Sequence, residues 1–189
     1  IFDIDETEIF YLVRKLGILK SRIIPVIGDI KDNTRLEAVF NEFLPQIVLH
    51  AAAYKHVPIL EFYPEEALKT NLMGTKVLAE MSMKYNVEKF IFISTDKAIN
   101  PTSIMGASKS AGEELLRIFN QKDKTRFISV RFGNVLGSRG SVVSLFKDQI
   151  KRGGPVTVTH PEMKRYFMIT SEAVLLVLEA AAVGQGGEV

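Results

Sequence analysis

The chain contains no cysteine. That excludes disulfides and thiolate metal sites, and it fits a reducing compartment. Histidine is scarce too: His50, His56 and His160 form no H-x-x-x-H ligand pattern, so no metal is expected. Charge of one sign is missing as well. The 24 Lys and Arg stand against 22 Asp and Glu, for a net charge of +2. They are interspersed without a basic block, so nucleic acid is not an expected partner. Long apolar runs are absent. The most apolar stretch near the C-terminus, residues 173–183, has 11 residues and includes Glu179, against about 20 for a membrane span. It reads as a buried helix of a soluble domain. There are no internal repeats, low-complexity tracts or linkers, and no signal-peptide pattern. The chain opens inside an apolar segment at Ile1-Phe2 and stops at Gly186-Gly187-Glu188-Val189, so both ends read as cuts.

What is present is ordinary globular material: 189 residues, 47% apolar and 24% charged, which suits one domain. Short β-rich runs recur at residues 23–27, 47–53, 89–94 and 126–132. Between them lie helical patterns. Thr34-Arg35-Leu36-Glu37 has capping-box spacing, followed by Val39, Phe40 and Phe43 on one face. Pro64-Glu65-Glu66 opens a helix expected to reach Tyr85. Others are expected over residues 105–120 and 141–151. Near-continuous apolar strands alternating with helices predict an α/β fold, a doubly wound parallel sheet covered on both faces. Ligands in such sheets bind beyond the carboxyl ends of the strands. Attention therefore falls on Asp3, Asp29, residues 51–56, residues 94–97 and residues 133–140. The glycine-rich turn that opens a dinucleotide fold is not in the sequence. Asp3 already occupies the acidic strand end that follows such a turn by about 20 residues.

Several clusters carry chemistry. Thr95-Asp96-Lys97 closes an apolar strand and sets a hydroxyl, an acid and a base in succession, though Thr-Asp after a strand also makes turns and caps. Met105 and Lys109 are spaced i, i+4 and share a helix face; an isolated Met there also suits a core. Asp3 suits the ribose hydroxyls of a dinucleotide and would repel a 2′-phosphate, or else Asp3 or Asp5 caps the helix beginning near Thr7. Asp29 precedes Ile30 in a Gly-Asp pair that also suits a turn. Ala51, Ala52 and Ala53 are small enough for close cofactor approach, or for plain packing. Lys55 stands at the same strand mouth, where it is preferred to His56 as a substrate contact. Asn71 is an unfavourable mid-helix residue unless it is exposed or bonded. Arg139, between Gly137 and Gly140, suits phosphate oxygens or a solvated loop.

Four segments, His50-Ala-Ala-Ala-Tyr-Lys-His-Val-Pro58, Ser94-Thr-Asp-Lys97, Asn100-Pro-Thr-Ser-Ile-Met-Gly-Ala-Ser-Lys109 and Arg131-Phe-Gly-Asn-Val-Leu-Gly-Ser-Arg-Gly140, together resemble the polysaccharide-biosynthesis (capsule) branch of the extended short-chain dehydrogenases/reductases. That branch contains the UDP-N-acetylglucosamine 4,6-dehydratases. The resemblance covers the whole chain and implies a Rossmann-like fold, with residues 1–132 mainly dinucleotide-binding and 133–189 mainly substrate-binding. It implies NAD rather than NADP, a UDP-sugar substrate, a homo-oligomer, and a cytoplasmic place or one on the cytoplasmic face of the inner membrane. Membrane association would come only through segments outside this chain. By resemblance Thr95 bonds the sugar 4-oxygen, Asp96 protonates the departing 6-hydroxyl and Lys97 removes the carbon-5 proton. Lys109 holds the nicotinamide ribose, Asp29 and Ile30 lie at adenine, and Asn71 supports the active-site backbone. Asn134, Arg139 and Arg165 hold the diphosphate, and Thr157, in an expected short strand over residues 157–159, lies by uracil. The usual tyrosine of the Tyr-x-x-x-Lys signature is Met105, which exchanges no proton. That departure leaves three readings: a 4,6-dehydratase, a UDP-sugar 4-epimerase, and a non-catalytic dinucleotide sensor or scaffold.

Overall fold

The computed structural model describes residues 1–17, 22–122 and 124–189. Its strands are β1 (Phe2–Asp3), β2 (Val26–Ile27), β3 (Ile47–His50), β4 (Lys89–Ile93), β5 (Arg126–Val130), β6 (Asn134–Val135) and β7 (Phe167–Met168). All pairings are parallel, in the orders β1-β2, β3-β4-β5 and β6-β7. The helices are α1 (Glu6–Lys15), α2 (Asn33–Phe43), α3 (Val57–Phe62), α4 (Pro64–Ala67), α5 (Thr75–Lys84), α6 (Ile104–Asn120), α7 (Val142–Lys151) and α8 (Thr170–Val183). A π-helical segment, Leu68–Gly74, joins α4 to α5, and a 3-10 turn, Asp96–Ala98, follows β4.

The central three strands show why both faces are covered. Successive side chains of a strand point to opposite faces. Phe90, Phe92 and Phe127 therefore pack with Leu36, Phe40, Leu78 and Leu116 from α2, α5 and α6. Ile91 and Ile128 face the other way, onto Val177 of α8. Phe90, Ile91 and Phe92 are each fully buried. This is the doubly wound arrangement expected from near-continuous apolar strands.

Several expectations shift. The strand over residues 23–27 shrinks to Val26–Ile27, with Pro25 lacking the N–H that a ladder needs. Residues 47–53 pair only as far as His50, so Ala51, Ala52 and Ala53 lie in the loop at the strand mouth. Residues 157–159 form no strand; Thr157 instead bonds Gln149 of α7 through its N–H at 3.0 Å and its hydroxyl at 2.8 Å. The cap of α2 is Asp32, whose carboxylate accepts from the Arg35 N–H at 3.0 Å, rather than Thr34. A carboxylate two residues earlier reaches that orphan N–H and starts the helix sooner. The helix expected over residues 64–85 runs without a gap through α4, the π segment and α5 to Lys84. Helix α8 is not buried: it covers Ala173 and Val177 while Val174, Leu175 and Leu178 are exposed. Apolar composition sets no burial until something packs on that face.

Candidate active site and dinucleotide pocket

The carboxyl end of β4 turns at once into the Asp96–Ala98 turn, with Thr95 as its N-cap. The Thr95 hydroxyl accepts from the Lys97 N–H at 3.3 Å and donates to Asp96 Oδ1 at 3.0 Å. Lys97 Nζ sits 2.8 Å from the same oxygen and 3.4 Å from Asn134 Oδ1. Thr95 thus makes the cap that the sequence offered as one alternative, and its hydroxyl still faces Asp96. Burial works to raise the Asp96 pKa, but the hydrogen bond and charge of Lys97, with Thr95, outweigh it. Asp96 is held below the ordinary carboxylate range, as the ionised half of a pair.

Helix α6 begins beneath that turn. Ser103 caps it, accepting from the Gly106 N–H at 3.1 Å. A Cβ on Gly106 would lie 2.3 Å from the Lys97 carbonyl oxygen. Only glycine lets the first turn of α6 close on the backbone of Thr95-Asp96-Lys97. Met105 is buried among Leu60, Ala67, Val57 and Ile104. Lys109, one turn on, is 7% exposed; its ammonium donates to the Ile93 carbonyl at 2.7 Å and lies 4.3 Å from the centre of the Phe92 ring. Burial pushes Lys109 down to about 8, against a smaller upward pull from Glu113.

Glu113 belongs to a cluster that sequence reading missed. It accepts from the Ser94 hydroxyl and takes a two-pronged ion pair from Arg131, at 2.9 Å from Nε and 2.5 Å from Nη2. The cluster ties the ends of β4 and β5 to α6. A lone Glu mid-helix and an Arg just past a strand gave no sequence signal of pairing.

A second concavity, of about 260 Å³, is lined by Asp3, Gly28, Asp29, Ile30, Lys31, Ala51, Ala52, Ala53, Tyr54 and Thr70 among others. It gathers every residue assigned to the adenosine side from sequence. Asp5 caps α1 by accepting from the Glu8 N–H at 3.1 Å, and Asp3 accepts from the Asp5 N–H at 2.9 Å. Asp3 is therefore left at the pocket rather than spent on the cap. Asp29 pairs with Lys31 at 3.1 Å, and Lys31 also donates to the Thr70 hydroxyl at 3.3 Å.

The residues assigned to the diphosphate and uracil are less gathered. Lys55 donates to the Arg139 carbonyl. Arg139 reaches Glu8 at 2.6 Å and Asp5 at 3.6 Å. Asn134 meets Lys97, as above. Among the described residues no hydrogen bond joins Thr157 or Arg165 to Lys97, and Arg165 donates to the Lys164 carbonyl. Gly140 approaches His56 closely enough that a Cβ would sit 2.7 Å from the ring.

The chain matches the polysaccharide biosynthesis protein family over residues 1–189. It belongs to that family. It is 57% identical over 88% of its length to the capsular polysaccharide biosynthesis protein CapD of Staphylococcus aureus, of which it covers 28%. At 40% identity over 86% of its length it is similar to two differently named proteins. One is the UDP-N-acetylglucosamine 4,6-dehydratase (inverting) of Campylobacter jejuni; the other is a UDP-glucose 4-epimerase of Rickettsia bellii, and it covers about half of each. Among solved structures, Pen from Bacillus thuringiensis superposes with a TM-score of 0.92 at 37% identity, over 98% of this chain and 59% of that one. The fold is thus that of the extended short-chain dehydrogenases, Rossmann-like. The chain spans between 27% and 56% of the length of three curated relatives that it matches. Among the described residues no helix is long and apolar enough to cross a membrane.

Proposed function

We propose that this chain carries the acid–base machinery of an NAD-dependent nucleotide-sugar 4,6-dehydratase acting on UDP-N-acetylglucosamine in surface polysaccharide synthesis. The observation that carries the reading is the Thr95-Asp96-Lys97 turn. It holds a hydroxyl, a carboxylate and an amine in mutual contact at the end of a buried strand. The pocket at Asp3, Asp29 and Ala51–Ala53 fits an adenosine half: two acids at its rim and a wall of small side chains. Its one lysine is already paired with Asp29, which suits NAD better than a 2′-phosphate. When bound, NAD supplies hydride removal at sugar carbon 4 and hydride return at carbon 6.

The chain's own residues handle the protons. Met105 takes none, so the 4-hydroxyl proton leaves through the Thr95 hydroxyl onto Asp96, which rests as a carboxylate and is free to accept it. Asp96 is then the acid that the next step needs. Lys97, once its ammonium has released a proton to solvent, takes the proton from carbon 5 while Asp96 protonates the 6-oxygen, and water departs. Lys97 later returns its proton to carbon 5. The 4-hydroxyl proton thus ends on the departing water, Asp96 is again a carboxylate, and Lys97 regains from solvent the proton it released. Lys109 places its charge beside the nicotinamide ribose, anchored by the Ile93 carbonyl, and Asn134 steadies Lys97. Arg139 and Arg165 would hold the diphosphate, with Lys55 at the strand mouth and Thr157 toward the uracil. We also propose a homo-oligomer.

The rival is a 4-epimerase, which the Rickettsia relative supports. An epimerase oxidises and re-reduces carbon 4 and has no use for a base at carbon 5. The intact protein given UDP-N-acetylglucosamine in deuterated water is expected to yield a 4-keto-6-deoxy sugar labelled at carbon 5, read by NMR. A carbon-4 epimer without that label would overturn the dehydratase reading. A protein that binds NAD but does not turn over the UDP-sugar would support a sensor.

A further inference from the structure

Behind the site lies a buried polar chain that the proton chemistry does not use. His50, the last residue of β3, is 2% exposed and packs between Phe90 and Phe92, ring centres 5.7 and 5.5 Å away. Its Nε2 lies 2.8 Å from the hydroxyl of Thr75, which is fully buried at the start of α5. That hydroxyl donates its one proton to the Asn71 carbonyl at 2.7 Å. It must therefore accept from His50, which puts a proton on Nε2. Burial, with the positive charge of Lys109, pushes His50 down to about 3, consistent with a ring that stays uncharged.

Asn71 stands in the middle of the π segment, fully buried. The Thr75 hydroxyl bond back to residue i−4 is the kind that widens or bends a helix. Gly74 allows the widened turn to lie against Ile30, whose Cδ1 would be 2.6 Å from a Cβ there. Both amide hydrogens of Asn71 are used: its oxygen accepts from the Tyr54 N–H at 2.8 Å, and its nitrogen donates to the Tyr54 carbonyl and the Ser108 hydroxyl, each at 3.0 Å. Tyr54 ends the Ala51–Tyr54 loop lining the dinucleotide pocket. Ser108 precedes Lys109 and donates to the Met105 carbonyl at 2.8 Å. One asparagine thus holds the cofactor loop and the catalytic helix in register.

We infer that His50 and Thr75 are positioning residues, which set the π turn and through Asn71 fix the spacing between the Ala51–Tyr54 loop and Lys109. The pair touches neither substrate nor cofactor and acts only through Asn71. Only its turnover readout rests on the dehydratase reading. A misplacement of reacting groups by about 1 Å costs up to about 10²-fold in rate.

The test is made on the intact protein with Thr75→Val, Thr75→Ser, His50→Phe, Asn71→Ala and the Asn71→Ala/Thr75→Val double variant. Thr75→Val is expected to lower turnover about 10- to 100-fold while the substrate KM stays within about twofold, and Thr75→Ser to retain turnover. The double variant should be no slower than Asn71→Ala, because residues acting through one group do not add. By amide hydrogen exchange, Thr75→Val and His50→Phe should release the Tyr54 amide and leave the Phe90 to Phe92 amides protected. Losses that multiply in the double variant, or a Tyr54 amide as protected as in wild type, overturn the inference. So does loss of protection everywhere in His50→Phe, which would mark a merely structural role. If Thr75→Val does not fold, His50→Phe carries the exchange test, and nitrogen shifts of wild-type His50 showing the proton on Nδ1 also overturn it. A wild type that turns over no UDP-sugar sinks the dehydratase reading alone, since the Tyr54 amide still decides the positioning.

Discussion

The part of the candidate site proposed for proton chemistry and the part proposed for the substrate are built in opposite ways. Residues 89–130 form a sheet and helix with fully buried Phe90, Ile91 and Phe92, and the lysine at the centre, Lys109, is nearly as hidden. In residues 133–189 the elements are two short strands and two helices, and Arg139 and Arg165, two of the groups assigned to the diphosphate, stand on exposed loops. Tyr166, beside Arg165, is 84% exposed and the Arg139 side chain 77%. A proton relay needs groups fixed within tenths of an ångström, and close packing supplies that. Recognition of a flexible, charged ligand tolerates loops that settle on it.

The largest way to break this contrast is at Lys97. Lys97→Ala in the intact protein is expected to lower dehydration about 10²–10⁴-fold and to abolish carbon-5 deuterium exchange, leaving a 4-keto sugar that keeps its 6-hydroxyl. Asp96→Asn should slow the first oxidation too, because the 4-hydroxyl proton then has no acceptor; reduced cofactor, followed by absorbance in a single turnover, separates the two variants.

Next comes the buried ion cluster. Glu113→Leu strands Arg131 and the Ser94 hydroxyl. Fully buried pairs cost about 3–5 kcal/mol when broken. Arg131 keeps roughly a third of its side chain in solvent, so a loss of about 2–3 kcal/mol in urea unfolding is expected.

The pH dependence is gentler. In the fold Lys109 titrates near 8 instead of 10.5, chiefly because of burial. Between those values the unfolded chain binds the extra proton, so stability rises as pH rises from about 8 to about 10.5. Lys109→Met should flatten that rise in denaturation midpoints. Activity should move the other way, falling above about 8 as the ammonium is lost. Smallest of all, Arg139→Ala is expected to change stability by less than about 1 kcal/mol, because its ion pairs with Asp5 and Glu8 are exposed and screened. Its effect belongs in the KM for the nucleotide sugar, and a fall in kcat instead would move Arg139 into the part proposed for proton chemistry.

Sequence by itself determined the α/β class, the central strands and the residues that meet at the Asp3–Asp29–Ala51 pocket. Apolar β-branched and aromatic runs, and acids at strand ends, are local signals that parallel-sheet geometry turns into positions. It also placed Thr95, Asp96 and Lys97 together, because they are adjacent in the chain. Only the tertiary structure decided the rest. The ionised resting state of Asp96 depends on how Lys97 folds back. The burial of Lys109 and the ion pair of Glu113 with Arg131 join residues from separate elements, and no spacing rule connects them. The π turn at Asn71 arises because Thr75, His50, Tyr54 and Ser108 converge there, outweighing the ordinary helical pattern that residues 64–85 show. The bare apolar face of α8 is the converse case: composition marked those side chains for burial, and the described residues leave them in solvent.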